Sequence, residues 1–398
     1  MPPALKLKIT IIGAGIAGLT AAIALSRQGN IVTVYERRKN TNEQSGSGVQ
    51  IQPTGVQILK SWGLEDELRK VAHESGEIKL RRWQNGEVIA VQSRRGQRGQ
   101  WWGMRNDLRR FLYHAAVASG AVVHFGRKAK SVDLDTPAVT FDDGTNSAVR
   151  TAIHPNAKSK VLDQCVFQAQ IPREAMYESQ DTKELYDDPA THLWLGQDLF
   201  GLSSVSPVQS LYDFQLGFVN YTNKDDPNPA QLLESLTEAK YVNEQLSGWN
   251  LMVRSLFKKA NKHLKWRIVE APRLDTAGSS MGIEDAAVLA ELLTHAVAIE
   301  NVPHLTKCYD RARHARIEKV REYSDFMGKM MSYPDGKNQQ HRDQMLRSFD
   351  PNQSLNAAPS MTAHYGSAEW MTWLDVFDVK ETVKLALENA VDKERAKL

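Results

Sequence analysis

The sequence GAGIAG at residues 13–18 restricts the fold more than any other stretch of the chain. A short apolar run precedes it at residues 8–12, small and apolar residues follow it at helical spacing over residues 18–28, and a second β-branched run covers residues 31–35. We expect a strand, a tight turn, a helix and a parallel strand in that order. A parallel sheet needs both faces covered, so the pattern predicts an α/β fold.

The glycines and one acid of this unit predict a nucleotide site. Gly13 permits the tight turn, Gly15 lets the backbone approach a pyrophosphate, and Gly18 lets the helix pack closely on the strand. Glu36 ends the second strand, 18 positions after Gly18, where a carboxylate can accept hydrogen bonds from a ribose. An acid at this position favours FAD or NAD over NADP. The alternative is a glycine-rich turn in an α/β core that binds no nucleotide.

The composition argues against several classes of partner. The 398 residues include 50 basic and 47 acidic side chains, and the net charge of +3 provides no general attraction for nucleic acid or an anionic membrane. Cys165 and Cys308 lack metal-ligand spacing, which argues against a zinc site and a disulfide scaffold. Residues 9–25 are apolar but short for a membrane span. We therefore expect a cytoplasmic protein without a membrane span.

The middle of the chain has the signals of an antiparallel sheet. Asn85-Gly86 stands between two extended runs and predicts a hairpin. The arginines that cluster nearby could form a basic binding strip, but a solvated strand face and loop are favoured, since the net charge is nearly balanced. They are Arg81, Arg82, Arg94, Arg95 and Arg98. Beyond Pro155 the extended runs have mixed polarity, which is typical of an antiparallel second domain.

Five stretches together resemble the FAD-dependent aromatic-ring monooxygenases, in particular the salicylate-hydroxylase-like enzymes. They are ITIIGAGIAGLTAAIAL followed by YERR, GSGVQIQPTGVQIL, WWGMRNDLRRFL, DGTNSAVR and GSSMGIEDAAVLAELL, and they extend through nearly the whole chain. An NAD-dependent dehydrogenase, which is the third hypothesis, would share only the first stretch. The oligomeric state stays open.

The resemblance implies a Rossmann-like FAD-binding domain with an inserted antiparallel β-sheet substrate domain and C-terminal helices. On this basis the FAD-binding domain is predicted at residues 1–75 and 103–155, and the substrate domain at residues 76–102 and 156–272. A return helix of the FAD domain would occupy residues 273–330, and a C-terminal helical segment residues 331–398.

The resemblance also implies which residues hold the cofactor. These residues belong to the glycine turn, to the extended stretch after it, to the start of a later helix, to an Asp-Gly pair and to a second small-residue turn. They are Gly13, Gly15, Gly18, Glu36, Gly48, Val49, Gln50, Arg105, Asp143, Gly144, Gly278 and Ser279.

In this family, NAD(P)H reduces FAD, and one oxygen atom of O₂ is then transferred to an electron-rich aromatic ring. The matching positions for catalytic residues are Gln168, where some members have an arginine, and Tyr212. Gln168 lacks the positive charge that would hold a phenolate or carboxylate. Tyr212 either donates a hydrogen bond to the substrate or is an ordinary tyrosine of a strand on the domain surface.

Two departures from the family pattern leave an alternative open. The family pattern has two Asp-Gly pairs with an apolar strand between them. Here this chain has only Asp143-Gly144, so that strand is missing between residues 145 and 146. The strand that should end in Gly-Asp before the turn at Gly278 is missing at the joint 276–277. Losing an internal parallel strand removes a ladder of hydrogen bonds. The alternative to an active monooxygenase is therefore a non-catalytic or impaired flavin-binding relative.

Overall fold

The computed structural model confirms the α/β class. It describes residues 5–41, 46–93, 99–133, 138–142, 160–221, 233–234, 239–260, 262–270, 279–348, 357–365 and 367–395. The described strands form one parallel sheet, one large mixed sheet and two small antiparallel sheets. None of the helices in this part of the chain combines the length and the apolar content that a bilayer crossing requires.

The elements are numbered in chain order. The strands are β1 (Lys8–Ile12), β2 (Ile31–Tyr35), β3 (Gly48–Ile51), β4 (Ala72–Ser75), β5 (Glu77–Arg82), β6 (Val88–Ser93), β7 (Gln100–Met104), β8 (Val122–His124), β9 (Lys128–Asp133), β10 (Ala138–Asp142), β11 (Lys160–Pro172), β12 (Thr191–Leu195), β13 (Leu199–Ser206), β14 (Leu211–Phe218), β15 (Leu233–Glu234) and β16 (Lys262–Glu270). The helices are α1 (Ile16–Arg27), α2 (Pro53–Ser61), α3 (Glu65–Arg69), α4 (Arg105–Ala118), α5 (Arg173–Met176), α6 (Gln180–Asp187), α7 (Ala239–Gln245), α8 (Leu251–Lys259), α9 (Ser279–Leu293), α10 (Val302–Met331), α11 (Lys337–Arg347), α12 (Ala368–Asp375) and α13 (Val379–Arg395).

The parallel sheet has the strand order β1-β2-β8, and α1 connects β1 to β2 as predicted. Its core contains the apolar side of α1, including Leu19 and Ile23, together with Val32 and Val34 of β2. Within the described residues β1 is one of the two edge strands of this sheet, and its Lys8 and Thr10 are exposed. The two joints at which the sequence lacks a strand lie outside the described residues.

A small antiparallel sheet, in the order β3-β7-β4, lies between the parallel sheet and the large sheet. Its register places Gln50 opposite Trp102 and Ser75 opposite Gln100. Because residues directly opposite each other point to the same face, Gln50, Trp102 and Gln100 share one face. Trp101 points to the other face and belongs to the core of the parallel sheet.

The large sheet has the order β15-β16-β11-β14-β13-β12-β5-β6, with β12 and β5 parallel and the other pairs antiparallel. One face is covered by helices α5 to α8 and carries alternate residues of β14, including Tyr212, Phe214 and Leu216. The opposite face carries Leu193 and Leu80 in a separate apolar cluster with Leu346 of α11. The division into an FAD domain and a substrate domain stays our proposal.

A buried ion network joins α9 to the C-terminal helices. Glu284 of α9 accepts hydrogen bonds from Arg313 and Arg316 of α10, with nitrogen–oxygen distances of 2.8 Å for each. Arg316 also donates to the main-chain oxygens of residues 373 and 374. Since buried charges are tolerated only when they are paired, this network fixes α10 and α12 relative to α9.

Candidate active site

The glycine turn has the geometry that a pyrophosphate requires. Gly13 has a φ angle of +105°, and its N–H donates to the carbonyl oxygen of Tyr35 at 2.7 Å. A Cβ at Gly18 would lie closer than 3.0 Å to the Gly13 carbonyl oxygen, so only glycine lets α1 approach the turn. Gly15 is the N-cap of α1, and no side chain caps this helix end. The N–H groups of its first turn are therefore open to an anion.

Glu36 is buried at the end of β2, with 4% of its surface exposed. Its Oε2 accepts a hydrogen bond from the Ala14 N–H at 2.7 Å, and its Oε1 accepts one from the Arg38 N–H at 2.9 Å. These bonds fix the carboxylate beside the glycine turn. Each carboxylate oxygen has a further lone pair, so Glu36 can still accept a hydrogen bond from a ribose hydroxyl.

Two arginines lie close together near this turn. Arg38 is 3.8 Å from Glu36 Oε1, and Arg105 begins α4 with its N–H donating to the Ser47 carbonyl oxygen at 3.1 Å. Partial burial lowers the pKa of the Arg105 guanidinium, and the positive charge of Arg38 lowers it further. Two neighbouring cations are stabilised by an anion between them. A pyrophosphate fits this requirement because guanidinium groups bind phosphates well.

The first turn of α9 lies against the first turn of α1. A Cβ at Gly282 would be 2.7 Å from the Cβ of Ala17, which shows how closely the two helices approach. Ser280 Oγ accepts a hydrogen bond from the Gln52 N–H at 3.0 Å. Two helix N-termini therefore lie together on the nucleotide side of the molecule. Ser279 begins α9, whereas Gly278, Asp143 and Gly144 lie outside the described residues.

Strand β3 connects the nucleotide side to the large sheet. A Cβ at Gly48 would overlap the Trp102 ring and lie 2.6 Å from Asp213 Oδ2, so this position needs glycine. Val49 and Gln50 follow in the same strand, and Gln50 lines a cavity that is described below. β3 therefore places the residues predicted along the cofactor next to the cavity.

A buried carboxyl group that the sequence analysis missed lies beside Gly48. Asp213 Oδ2 accepts hydrogen bonds from Gln215 Nε2 at 2.7 Å and from the Gly48 N–H at 3.3 Å, and Oδ1 accepts one from Gln168 Nε2. Burial raises the pKa of the Asp213 carboxyl to about 6, although the hydrogen bonds act in the opposite direction. The carboxyl group therefore titrates near neutral pH.

The two candidate catalytic residues point to opposite faces of the large sheet. Gln168 shares a face with Asp213, which contacts Gly48 of β3, and the buried Oε1 of Gln168 has no hydrogen-bond partner among the described residues. Tyr212 is fully buried in the core under α5 to α8, where its hydroxyl donates to Ser203 Oγ at 3.0 Å. Burial raises the pKa of this hydroxyl. Tyr212 therefore faces the helix-covered core, whereas Gln168 belongs to the Asp213 cluster on the opposite face.

A cavity of about 350 Å³ lies between the large sheet and the C-terminal helices. The sheet contributes apolar side chains from β5, β12 and β13, namely Ile78, Leu80, Leu193, Phe200 and Leu202. Leu202 lies directly opposite Gln215 of the Asp213 cluster. The cavity therefore adjoins the buried carboxyl group.

The helical wall of the cavity is rich in methionine. Met327, Met330 and Met331 of α10, Met345 of α11 and Met371 of α12 line it, so five of the eleven methionines of the chain meet there. Aromatic rings are contributed by Tyr323, Phe326 and Tyr365. Methionine adapts its shape to a ligand and makes favourable contacts with aromatic rings.

The prediction of a solvated face was wrong for Arg81 and Arg82, whereas Arg94, Arg95 and Arg98 lie outside the described residues. Arg81 Nε donates to His192 Nδ1 at 3.0 Å, and its guanidinium lies over the Trp194 ring. Arg82 forms an ion pair with Asp343, which is 3% exposed and belongs to α11. Both arginines attach β5 to its neighbours. The sequence could not show this because the partners are more than a hundred residues away.

Comparison with known proteins agrees with this geometry. The FAD binding domain family matches residues 6–142. The FAD-dependent monooxygenase OpS4 of Beauveria bassiana is 23% identical over 85% of this chain and 89% of its own length. The 3-amino-4-hydroxybenzoate 2-monooxygenase PtmB3 of Streptomyces platensis is 27% identical over 85% of this chain and 92% of its own. These two relatives are FAD-dependent monooxygenases, and the chain is similar to them over most of its length. The predicted family, enzyme class and FAD cofactor are thus confirmed.

Solved structures show that the monooxygenase fold extends over the whole chain. The crystal structure of CtdE with FAD and a substrate has a TM-score of 0.77 at 17% identity, and covers 98% of this chain and 100% of that one. A salicylate hydroxylase substrate complex has a TM-score of 0.71 at 17% identity, and covers 97% and 98%. The fold prediction therefore holds for the C-terminal helices as well as for the FAD-binding half.

Proposed function

We propose that this monooxygenase hydroxylates a phenolic or aromatic-acid small molecule with NAD(P)H and O₂, in the cytoplasm and in secondary metabolism. The observation that carries the proposal is the position of β3. One end of this strand contacts the Asp213 cluster at Gly48, and Gln50 lines the apolar cavity. The predicted cofactor strand thus forms part of the wall of a site that accepts aromatic rings.

The residues near the glycine turn fit FAD. The open N–H groups of α1, the carboxylate of Glu36 and the cations Arg38 and Arg105 would hold its ADP half. When bound, FAD supplies the hydride acceptance and oxygen activation that amino-acid side chains lack. The protein binds the substrate against the apolar face of the large sheet and excludes water from it.

Asp213 lies beside the wall of the cavity, and we propose that its buried carboxyl group takes part in proton transfer in this site. Its Oδ2 is fixed by Gln215 and by the Gly48 N–H, and its pKa of about 6 lets it exchange a proton near neutral pH. Gln168 holds the other oxygen of the carboxyl group. We propose Gln168 as a residue that positions Asp213, and Tyr212 as a core residue that supports the sheet behind it.

Turnover of FAD-loaded protein tests the proposal. Oxidation of NADH or NADPH should accelerate when 1-naphthol is added, and the product should carry one atom from ¹⁸O₂. Naphthalene has the same ring without the activating hydroxyl and should give no hydroxylated product. FAD-loaded protein that forms no ¹⁸O-labelled product from 1-naphthol or from its carboxylated analogue would contradict the proposed function.

A further inference from the structure

The described residues that line the cavity carry no charged side chain. On the sheet side they are aliphatic or aromatic, on the helical side they are methionine, leucine, tyrosine, phenylalanine and serine, and the remaining polar groups are four glutamines. The glutamines are Gln50, Gln52, Gln92 and Gln100. An amide can donate and accept hydrogen bonds but cannot neutralise a carboxylate.

Two described cations on the elements around the cavity, Arg82 and Lys319, are paired with other groups. Arg82 of β5 is bound to Asp343, and Lys319 of α10 lies 2.9 Å from Glu322 and over the Tyr365 ring. The Tyr365 hydroxyl donates to the same Glu322 at 2.7 Å. A carboxylate inside the cavity would therefore lose its hydration without gaining a cationic partner from the described part of the chain, which is strongly unfavourable.

Gln100 provides a specific polar contact for an uncharged ligand. The residue is 1% exposed and lines the cavity, and within the described part of the chain its buried Nε2 has no hydrogen-bond partner. Buried donors in folded proteins are nearly always paired, so an unpaired amide at a binding cavity requires an acceptor from the ligand. A carbonyl, ether or hydroxyl oxygen of a neutral molecule meets this requirement.

We propose that the cavity selects an uncharged aromatic substrate with a hydrogen-bond acceptor and discriminates against aromatic carboxylates. The proposal rests on the proposed function and narrows it to the neutral phenolic class. The volume of about 350 Å³ is sufficient for a fused-ring or alkyl-substituted aromatic molecule. The flexible methionine side chains let the cavity accept neutral molecules of different shapes.

A matched pair of ligands tests this selection. Equilibrium dialysis of FAD-loaded protein at neutral pH should show that methyl hydroxynaphthoate binds about a hundredfold more tightly than hydroxynaphthoate. The two ligands share one ring system and differ in the charge of one group. Equal or tighter binding of the carboxylate, or binding of neither ligand, overturns the proposal.

A matched pair of variants locates the effect in the cavity. Gln92 lies on the edge strand β6 and is half-buried, so Gln92→Arg adds a cation to the wall without opening the core. This variant should raise the affinity for the carboxylate about tenfold or more relative to the ester. Val91→Arg adds the same charge to the neighbouring exposed position, which does not line the cavity, and should change neither affinity. Equal effects of the two variants contradict the proposed location.

The outcomes separate this proposal from the proposed function. Protein that holds FAD, forms hydroxylated product and prefers the carboxylate retains the monooxygenase function and overturns the substrate class. If FAD does not bind, the monooxygenase function fails. Dialysis of the FAD-free protein against the same two ligands then still measures the charge preference of the cavity.

Discussion

Replacing Gly15 by alanine tests whether the glycine turn is built for the cofactor. Gly15 has φ and ψ angles of −81° and −178°, which alanine readily adopts, and a Cβ added there meets no protein atom within 4 Å. The folded chain therefore accommodates the methyl group. The free energy of unfolding should change by less than about 1 kcal/mol.

The same methyl group would stand where a pyrophosphate must approach the backbone. An overlap of this kind costs about 1–3 kcal/mol, so the dissociation constant for FAD should rise about 5- to 150-fold. Thermal unfolding of FAD-free protein and titration with FAD, followed by quenching of flavin fluorescence, measure the two effects separately.

Gly18→Ala and Gly328→Ala are the controls for Gly15→Ala. Gly18→Ala should lower both stability and FAD affinity, because its Cβ would collide with the Gly13 carbonyl oxygen. Gly328 lies within α10 with open space around it, and alanine there should raise stability by about 0.5–1 kcal/mol and leave FAD affinity unchanged. Unchanged FAD affinity in Gly15→Ala, or a loss of stability equal to that of Gly18→Ala, would refute the reasoning.

Two further predictions concern buried charge. Glu284→Gln leaves Arg313 and Arg316 without their buried carboxylate partner, so it should lower the free energy of unfolding by about 3–5 kcal/mol in urea titration. The control Glu381→Gln removes one partner of an exposed ion pair and should change the free energy of unfolding by less than about 0.5 kcal/mol. Burial lowers the pKa of His73 to about 4, so the unfolded chain binds a proton at this residue more readily than the folded chain below pH 6.5. The resulting loss in the free energy of unfolding is absent above pH 6.5 and grows to about 3 kcal/mol as the pH falls to about 4. His73→Phe should remove this part of the acid sensitivity. An identical pH dependence of stability in the variant would contradict this prediction.

The sequence predicted the first unit of the fold well because its signals are local. The apolar runs and the glycine spacing place β1, α1 and β2 within two residues of their observed bounds. The edge position of β1 within the described residues could not be read from this pattern, since strand neighbours depend on distant parts of the chain.

The residues of β14 show how the alternation of side chains along a strand determines which residues can face the site. In β14 the apolar residues alternate at positions 212, 214, 216 and 218, which assigns Tyr212 to the core face and Asp213 to the opposite face. This signal was present in the sequence and would have identified Asp213. The choice of Tyr212 came from the family resemblance, which matches positions without testing the direction of a side chain.

The cavity could not be predicted from the sequence. Its wall combines β5, β12 and β13 with methionines from three helices that are more than a hundred residues away along the chain. No local pattern marks these methionines as lining a cavity, because they become neighbours only when the ion network around Glu284 fixes α10 and α12.

Titration of the folded, nucleotide-free protein with FAD is the most direct test of the cofactor site. Circular dichroism and a cooperative thermal transition would first establish that the sample is folded. We expect saturable FAD binding with a perturbed flavin spectrum, and no displacement of FAD by excess NAD. If folded protein does not bind FAD while another nucleotide saturates the same site, the result would contradict the account.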